Sequence, residues 1–195
     1  MKILLTTPTF DKYGHCVAAE KKARGYYLPI GIAYIAAILE EKGHQVRVID
    51  AYNRRCGFSE LQEITEDFIP ELIGISINTP CSESAYNLAL FLKTKFNIPI
   101  VAGGPHCSVF PSETLGMCEA IDYVITGEGE ETIVELVDAL NGMRQMRSIK
   151  SLGFRENGMP IINPPREHFS DLDNFPPPAF HLFDLNLYKS YPGFG

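Results

Sequence analysis

Val101-Ala102-Gly103-Gly104-Pro105-His106 and Asp122-Tyr123-Val124-Ile125-Thr126-Gly127-Glu128-Gly129-Glu130 decide how this chain is read. Each is an apolar run that stops abruptly in glycine. Short continuous apolar runs bounded by turn residues mark strands buried on both faces, as in parallel sheets. In an open parallel sheet, ligands bind just beyond the carboxyl ends of the strands. Glycine there lets the backbone approach a bulky ligand with no Cβ between them. Two such endings in succession predict a wide, shallow mouth for something large and flat.

Three further runs precede them: Lys2-Ile3-Leu4-Leu5-Thr6, residues 45–50 and residues 72–77. With residues 98–102 and 121–126 they make five strands. Residues 29–42 read as a helix, with Pro29 in its first turn, Gly43 as its stop and Ala33, Ala36 and Ala37 small enough for close packing on a sheet. Residues 82–96 carry Ala85, Leu88, Ala89 and Leu92 at helical spacing behind a Ser82 N-cap. A short helix is expected at 111–118, and a last one at 130–140 with Ile133, Leu136, Val137 and Leu140 inside. This alternation predicts an α/β fold: a flavodoxin-like (Rossmann-like) three-layer sandwich around a five-stranded parallel sheet of order 2-1-3-4-5. Its switch point, between strands one and three, is the default ligand crevice.

Two features exceed a minimal version of that fold. The connection 7–28 is far longer than an ordinary βα loop, and such loops are commonly lids or binding loops. Residues 150–156 and 159–163 flank Asn157-Gly158, a strong hairpin signal. After this C-terminal β-hairpin come Pro164-Pro165 and Pro176-Pro177-Pro178, a stiff extended stretch that reads as a Pro-rich linker.

The 195 residues, 45% hydrophobic and 21% charged, suit one soluble domain with a short extension. The longest apolar run, 28–39, is too short to span a bilayer, and the first residues lack a signal-peptide core. A cytoplasmic protein without a membrane partner is expected. With a net charge of −7 and scattered basic residues, a nucleic-acid partner is disfavoured. The five cysteines form neither CxxC nor CxxxCxxC, so no metal site is expected, and they read as reduced structural thiols. No nucleophile–base pair stands out, and no catalytic residue is assigned.

Familiar ligands of this architecture can be tested in turn. A nicotinamide site needs G-x-G-x-x-G after the first strand, where Thr6-Thr7-Pro8-Thr9-Phe10 stands instead. Those threonines supply half of a flavin-type phosphate loop, broken by Pro8. A phosphoryl receiver needs an acid where Asn78 and Thr79 stand. Gly127-Glu128-Gly129-Glu130-Glu131 has the glycines of a phosphate cradle, but three carboxylates at a helix N-terminus repel phosphate. They suit hydrogen bonds from sugar or amide groups. Glu128, between two glycines and ahead of the helix, is the better binding candidate.

With these residues placed, the chain resembles the N-terminal cobalamin-binding domain of B12-dependent radical SAM proteins, nearest the branch of the anaerobic magnesium-protoporphyrin IX monomethyl ester oxidative cyclase. The stretches that carry the likeness are Leu28-Pro29-Ile30-Gly31-Ile32-Ala33-Tyr34-Ile35-Ala36-Ala37, Gly74-Ile75-Ser76-Ile77-Asn78-Thr79, Gly103-Gly104-Pro105-His106, Gly127-Glu128-Gly129-Glu130 and Asp171-Leu172-Asp173-Asn174-Phe175-Pro176-Pro177-Pro178-Ala179. The resemblance implies that Ser76, Thr79, Gly103, Gly104 and Gly127 to Gly129 line a groove for the cobalamin nucleotide tail. Thr6, Thr7, Pro8, Asn78, Pro105, His106 and Glu128 complete the candidate cofactor-binding set. The corrin ring would lie across the strand ends, partly under the 7–28 loop, with Tyr26 and Tyr27 as candidates to pack on it.

The likeness also divides the chain into a cobalamin-binding domain (1–145), a hairpin extension (146–165) and a linker (166–195) toward a radical SAM domain holding a [4Fe–4S] cluster and S-adenosylmethionine. That domain's CxxxCxxC does not occur before Gly195, so the chain is either a fragment or a stand-alone corrinoid binder. D-x-H-x-x-G, which puts histidine on cobalt in methionine synthase relatives, is also missing. Asp11-Lys12-Tyr13-Gly14-His15 spaces its histidine wrongly. Cobalamin is therefore expected base-off without a histidine ligand, and His106 is read as a contact to corrin or tail. At Gly104 a branched side chain is expected to fill the tail slot and leave the fold intact. The alternative from a different class is a non-catalytic flavodoxin-like sensor binding flavin or another small molecule.

Overall fold

Parallel strands β1 (Lys2–Thr6), β2 (Gln45–Ile49), β3 (Leu72–Ser76), β4 (Ile100–Gly103) and β5 (Tyr123–Ile125) lie in the order β2-β1-β3-β4-β5 in the computed structural model, which describes residues 1–9, 27–167 and 175–188. The expected order therefore holds. The hairpin strands β6 (Leu152–Glu156) and β7 (Met159–Ile162) continue the same sheet, β6 running antiparallel to β5 with Val124 opposite Gly153. The sheet is thus mixed and seven-stranded, rather than five strands with a hairpin beside them. Asn157 and Gly158, at φ 52° and 80°, give the hairpin two consecutive left-handed residues, as a type I′ turn requires.

The helices are α1 (Ile30–Glu41), α2 (Ala51–Arg54), α3 (Phe58–Phe68), α4 (Ser82–Phe96), α5 (Pro105–Val109), α6 (Pro111–Met117) and α7 (Glu130–Leu140). Three of them, α2, α3 and α5, go beyond the sequence expectation. Helix α3 buries only Leu61, Thr65 and Phe68 among polar neighbours, and α5 is barely one turn.

Strand alternation sorts the core into two layers. Ile3, Leu5, Leu72, Val101 and Ile125 face α1 and α7, packing on Ala36, Ala37, Ile133, Leu136 and Val137. Leu4, Ile73, Ile75, Ile100, Ala102 and Val124 face the other way, onto Leu61, Ala85, Leu88, Ala89, Leu92 and Leu115. Each fully buried Leu or Ile contributes about 1.5–3 kcal/mol of transfer free energy.

The proline segment leads into residues that pack back onto the domain. The Ala179 N–H donates to the carbonyl of Ala33 on α1 at 3.0 Å, and Leu182 and Phe183 pack on the α1/α7 layer. Further on, the Tyr188 hydroxyl donates to Asp50 Oδ2 at 2.7 Å. Among the described residues no helix is long and apolar enough to cross a membrane.

Candidate functional site

At the carboxyl ends of β1, β3, β4 and β5, on the α1/α7 side, a cavity of about 290 Å³ opens to the surface. Alternation explains its walls. Leu5, Gly74, Ser76, Val101, Gly103 and Ile125 are the side chains, or missing side chains, that point to this face. Ile32 and Ile35 close it from α1, and Ile133 from α7. A Cβ built at Gly31, Gly103 or Gly127 meets nothing within 4 Å, so at these positions glycine leaves open space.

Gly104 differs. Its φ is +97°, and a Cβ there would stand 2.9 Å from the Ile77 carbonyl oxygen. The ends of β3 and β4 stay in close backbone contact at this point: the Ile77 N–H donates to Gly103 O at 2.8 Å and the His106 N–H to Ile77 O at 3.1 Å. At this φ, glycine alone fits so close a backbone approach without strain. The expectation that Gly104→Val spares the fold is therefore wrong, because the added side chain meets backbone before it meets ligand. Ser108, which sequence reasoning missed, ties the mouth together. Its Oγ donates to Gly104 O at 3.1 Å and accepts from the Gly127 N–H at 2.9 Å.

The acidic turn divides its work. Glu131 and Glu135 are both ion-paired with Arg166. Glu128 and Glu130 stand on the cavity wall. Glu130 Oε2 is buried and has no hydrogen-bond partner. Burial pushes the Glu130 carboxyl above the usual range against the pull of its own backbone N–H, and the Glu128 charge adds to the rise.

Ser76, Gly103, Gly104, Gly127, Glu128 and Gly129 thus share one wall, while the other candidates lie elsewhere. Thr6 has the alternation of Leu4 and is buried. Thr7 Oγ1 donates to Asp50 Oδ1 at 2.9 Å and accepts from the Tyr52 N–H at 3.0 Å, binding the β1 end to the β2 end. Pro8 is buried behind it, and Asn78, Thr79 and Pro105 are exposed beyond the strand ends. His106 is 8% exposed and belongs to α5, on the face away from the cavity. Its Nε2 is 2.8 Å from the Tyr86 hydroxyl and its Nδ1 3.3 Å from Thr79 Oγ1. Burial lowers the His106 pKa, against the pull of Glu113. Tyr27 is exposed; Tyr26 and His15 lie outside the described residues, as do Asp171 to Asn174.

Cys56, Cys107 and Cys118 are buried thiols, with Cys56 and Cys107 pushed by burial to about 12. Cys81 departs from the expectation of reduced thiols, being disulfide-bonded. Among the described residues, no three His, Cys, Asp or Glu side chains are grouped to hold a metal ion.

A glycine-opened cavity at the switch point of a doubly wound sheet lies where open α/β folds bind their ligands. The B12-binding domain family model matches residues 17–137, and the chain belongs to that family. Relatives agree. An uncharacterized methyltransferase of Pyrococcus horikoshii is 36% identical over 97% of this chain and 40% of its own length. The anaerobic magnesium-protoporphyrin IX monomethyl ester cyclase of Synechocystis is 30% identical over 99% of this chain and 38% of its own length. The chain therefore spans about two fifths of these curated relatives. Among solved structures, the cobalamin-dependent S-adenosylmethionine radical enzyme OxsB superposes with a TM-score of 0.74 over 91% of this chain and 24% of its own, at 16% identity. The radical S-adenosylmethionine methyltransferase TsrM of Kitasatospora setae, with cobalamin and a [4Fe-4S] cluster bound, gives 0.68 over 84% and 30%, at 21% identity. Both share the fold.

Cobalamin is the cofactor of the B12-binding family, and the residues present fit it. Three glycines leave space that any Cβ would fill, and a buried carboxyl oxygen on the wall lacks a partner.

Proposed function

We propose that this chain holds cobalamin as the cofactor module of a radical S-adenosylmethionine protein, with the nucleotide arm in the cavity, the base displaced from cobalt and no histidine of the chain in its place. The observation that carries this is the coincidence of the family match with a glycine-opened cavity at the ends of β3, β4 and β5. At about 290 Å³ the cavity lies at the small end of ligand pockets, so it takes an arm of the cofactor and not the corrin ring. Leu5, Ile35, Val101, Ile125 and Ile133 offer flat apolar walls to the base. Ser76 and Glu128 offer polar partners to the sugar and amide groups, and the carboxylates keep the phosphate outside. When bound, cobalamin supplies a cobalt centre able to carry an alkyl group.

The histidine reading is supported by the engagement of both His106 nitrogens on the far face of the sheet. His44 meets the amino terminus at the other end of β1, and His181 pairs with Glu40. Residues 1–145 form the cofactor-holding unit, 146–165 its hairpin, and 166–195 lead toward a catalytic domain. That domain would bind the [4Fe–4S] cluster and S-adenosylmethionine, as the relatives' lengths and the OxsB and TsrM structures suggest.

Titration of the purified chain with hydroxocobalamin tests the reading. The expected result is corrinoid absorbance that co-elutes with protein through gel filtration. A chain that purifies with flavin fluorescence and leaves the corrinoid behind would favour the sensor alternative.

A further inference from the structure

The cavity wall carries one chemical anomaly. Its lining is apolar or glycine apart from Ser76, Glu128 and Glu130, and Glu130 Oε2 is sealed from water with nothing to bond. A buried polar atom without a partner costs about 1–3 kcal/mol, more if charged, so a site that tolerates one is poised to recover it from a ligand. Glu130 opens α7 immediately after Gly129, where a Cβ would stand 3.3 Å from both Ile125 Cγ2 and Ile35 Cδ1. The Glu130 carboxyl thus stands beside the apolar slot.

We propose that Glu130 is the specificity residue for the nucleotide base, its carboxyl sharing one proton with the base's free ring nitrogen. This rests on the proposed placement of the nucleotide arm in the cavity. A base lying between aliphatic walls buries its carbon edges readily, but a ring nitrogen displaced from cobalt is an acceptor that needs a donor. A protonated carboxyl is such a donor, and burial favours that form at Glu130. Ribose hydroxyls are better served by the exposed Glu128, ahead of the helix. The other charges nearby are spoken for, since Arg166 engages Glu131 and Glu135. Glu128 is the only other titratable group on the wall among the described residues.

The test compares hydroxocobalamin with cobinamide, which has the corrin ring but no nucleotide base, in calorimetric titrations of wild type, Glu130→Leu and Glu130→Gln. Glu130→Leu should weaken cobalamin about tenfold, the scale of one lost buried hydrogen bond, and leave cobinamide unchanged. Glu130→Gln retains a donor and should bind cobalamin within about threefold of wild type. The proton supplies a second readout. The binding-competent form carries it, so wild-type affinity for cobalamin should fall as pH rises through the Glu130 pKa, whereas Glu130→Gln should be flat. Equal losses for both ligands in Glu130→Leu, or no loss for either, would overturn the assignment. Wild type that binds cobalamin no better than cobinamide would instead overturn the placement of the arm in the cavity, and this proposal with it.

Discussion

Gly103 and Gly104 are neighbours in sequence but answer to different physics, and substituting each in turn separates ligand placement from fold stability. At Gly104 the backbone has φ +97° and an added Cβ stands 2.9 Å from Ile77 O and 3.1 Å from Ile77 N. An L-residue held in such a conformation costs about 1–3 kcal/mol, and the two backbone contacts add to that. In a domain of this size each kcal/mol lowers Tm by about 2–4 °C, so Gly104→Ala should melt roughly 2–12 °C below wild type. Gly103 lines the cavity, an added Cβ there meets nothing within 4 Å, and it ends a strand where a branched residue is favoured. Gly103→Val should therefore keep the wild-type Tm. Its side chain instead occupies space the ligand needs, and overfilling a packed site costs about 1–3 kcal/mol, or roughly 5- to 150-fold in Kd. Differential scanning fluorimetry and a hydroxocobalamin titration on both variants read the two effects independently. Wild-type affinity in a well-folded Gly103→Val protein would refute the location of the site. An unshifted melt for Gly104→Ala would refute the close approach of the Gly104 and Ile77 backbones.

Three further outcomes are expected. Reduced to cob(II)alamin on the protein, the cofactor should show no nitrogen superhyperfine splitting from a protein histidine in its electron paramagnetic resonance spectrum; a splitting that disappears in His106→Ala would contradict the engagement of that ring by Tyr86 and Thr79. The thiols of Cys56 and Cys107, raised to about 12 by burial, are protonated at pH 8 and should resist iodoacetamide there in native protein, reacting at ordinary rates once urea unfolds it. The isolated chain should release no deoxyadenosine from S-adenosylmethionine, since it lacks a CxxxCxxC run to hold a cluster; a stable reconstituted cluster with turnover would overturn this.

What the chain declares by itself is what depends on near neighbours. Continuous apolar runs announce buried strands, and helical spacing announces α4 and α7, because burial on two faces or along one stripe is a property of consecutive residues. Asn157-Gly158 announces its turn for the same reason. Glycines at the strand ends mark the mouth, and Gly103, Gly104, Gly127 and Gly129 needed only that local signal, whereas Ser76 came from the family resemblance. The remaining wall was legible in principle. Leu5, Gly74, Val101 and Ile125 share one side of the sheet by simple two-residue alternation, once the side carrying the cavity is known.

That side is what the tertiary structure decided. His106 follows the same glycines as the mouth, yet the turn into α5 carries it to the opposite face, where Tyr86 and Thr79 hold it. Thr6 falls away from the cavity through alternation, and Thr7 through its bond to Asp50, a residue 43 positions distant. The edge that β6 joins, and the docking of Ala179 on Ala33, likewise depend on distant partners. An isolated sequence specifies the shape of each piece; which surfaces meet is set by how two core layers close over one twisted sheet, and a ligand crevice belongs to only one of them.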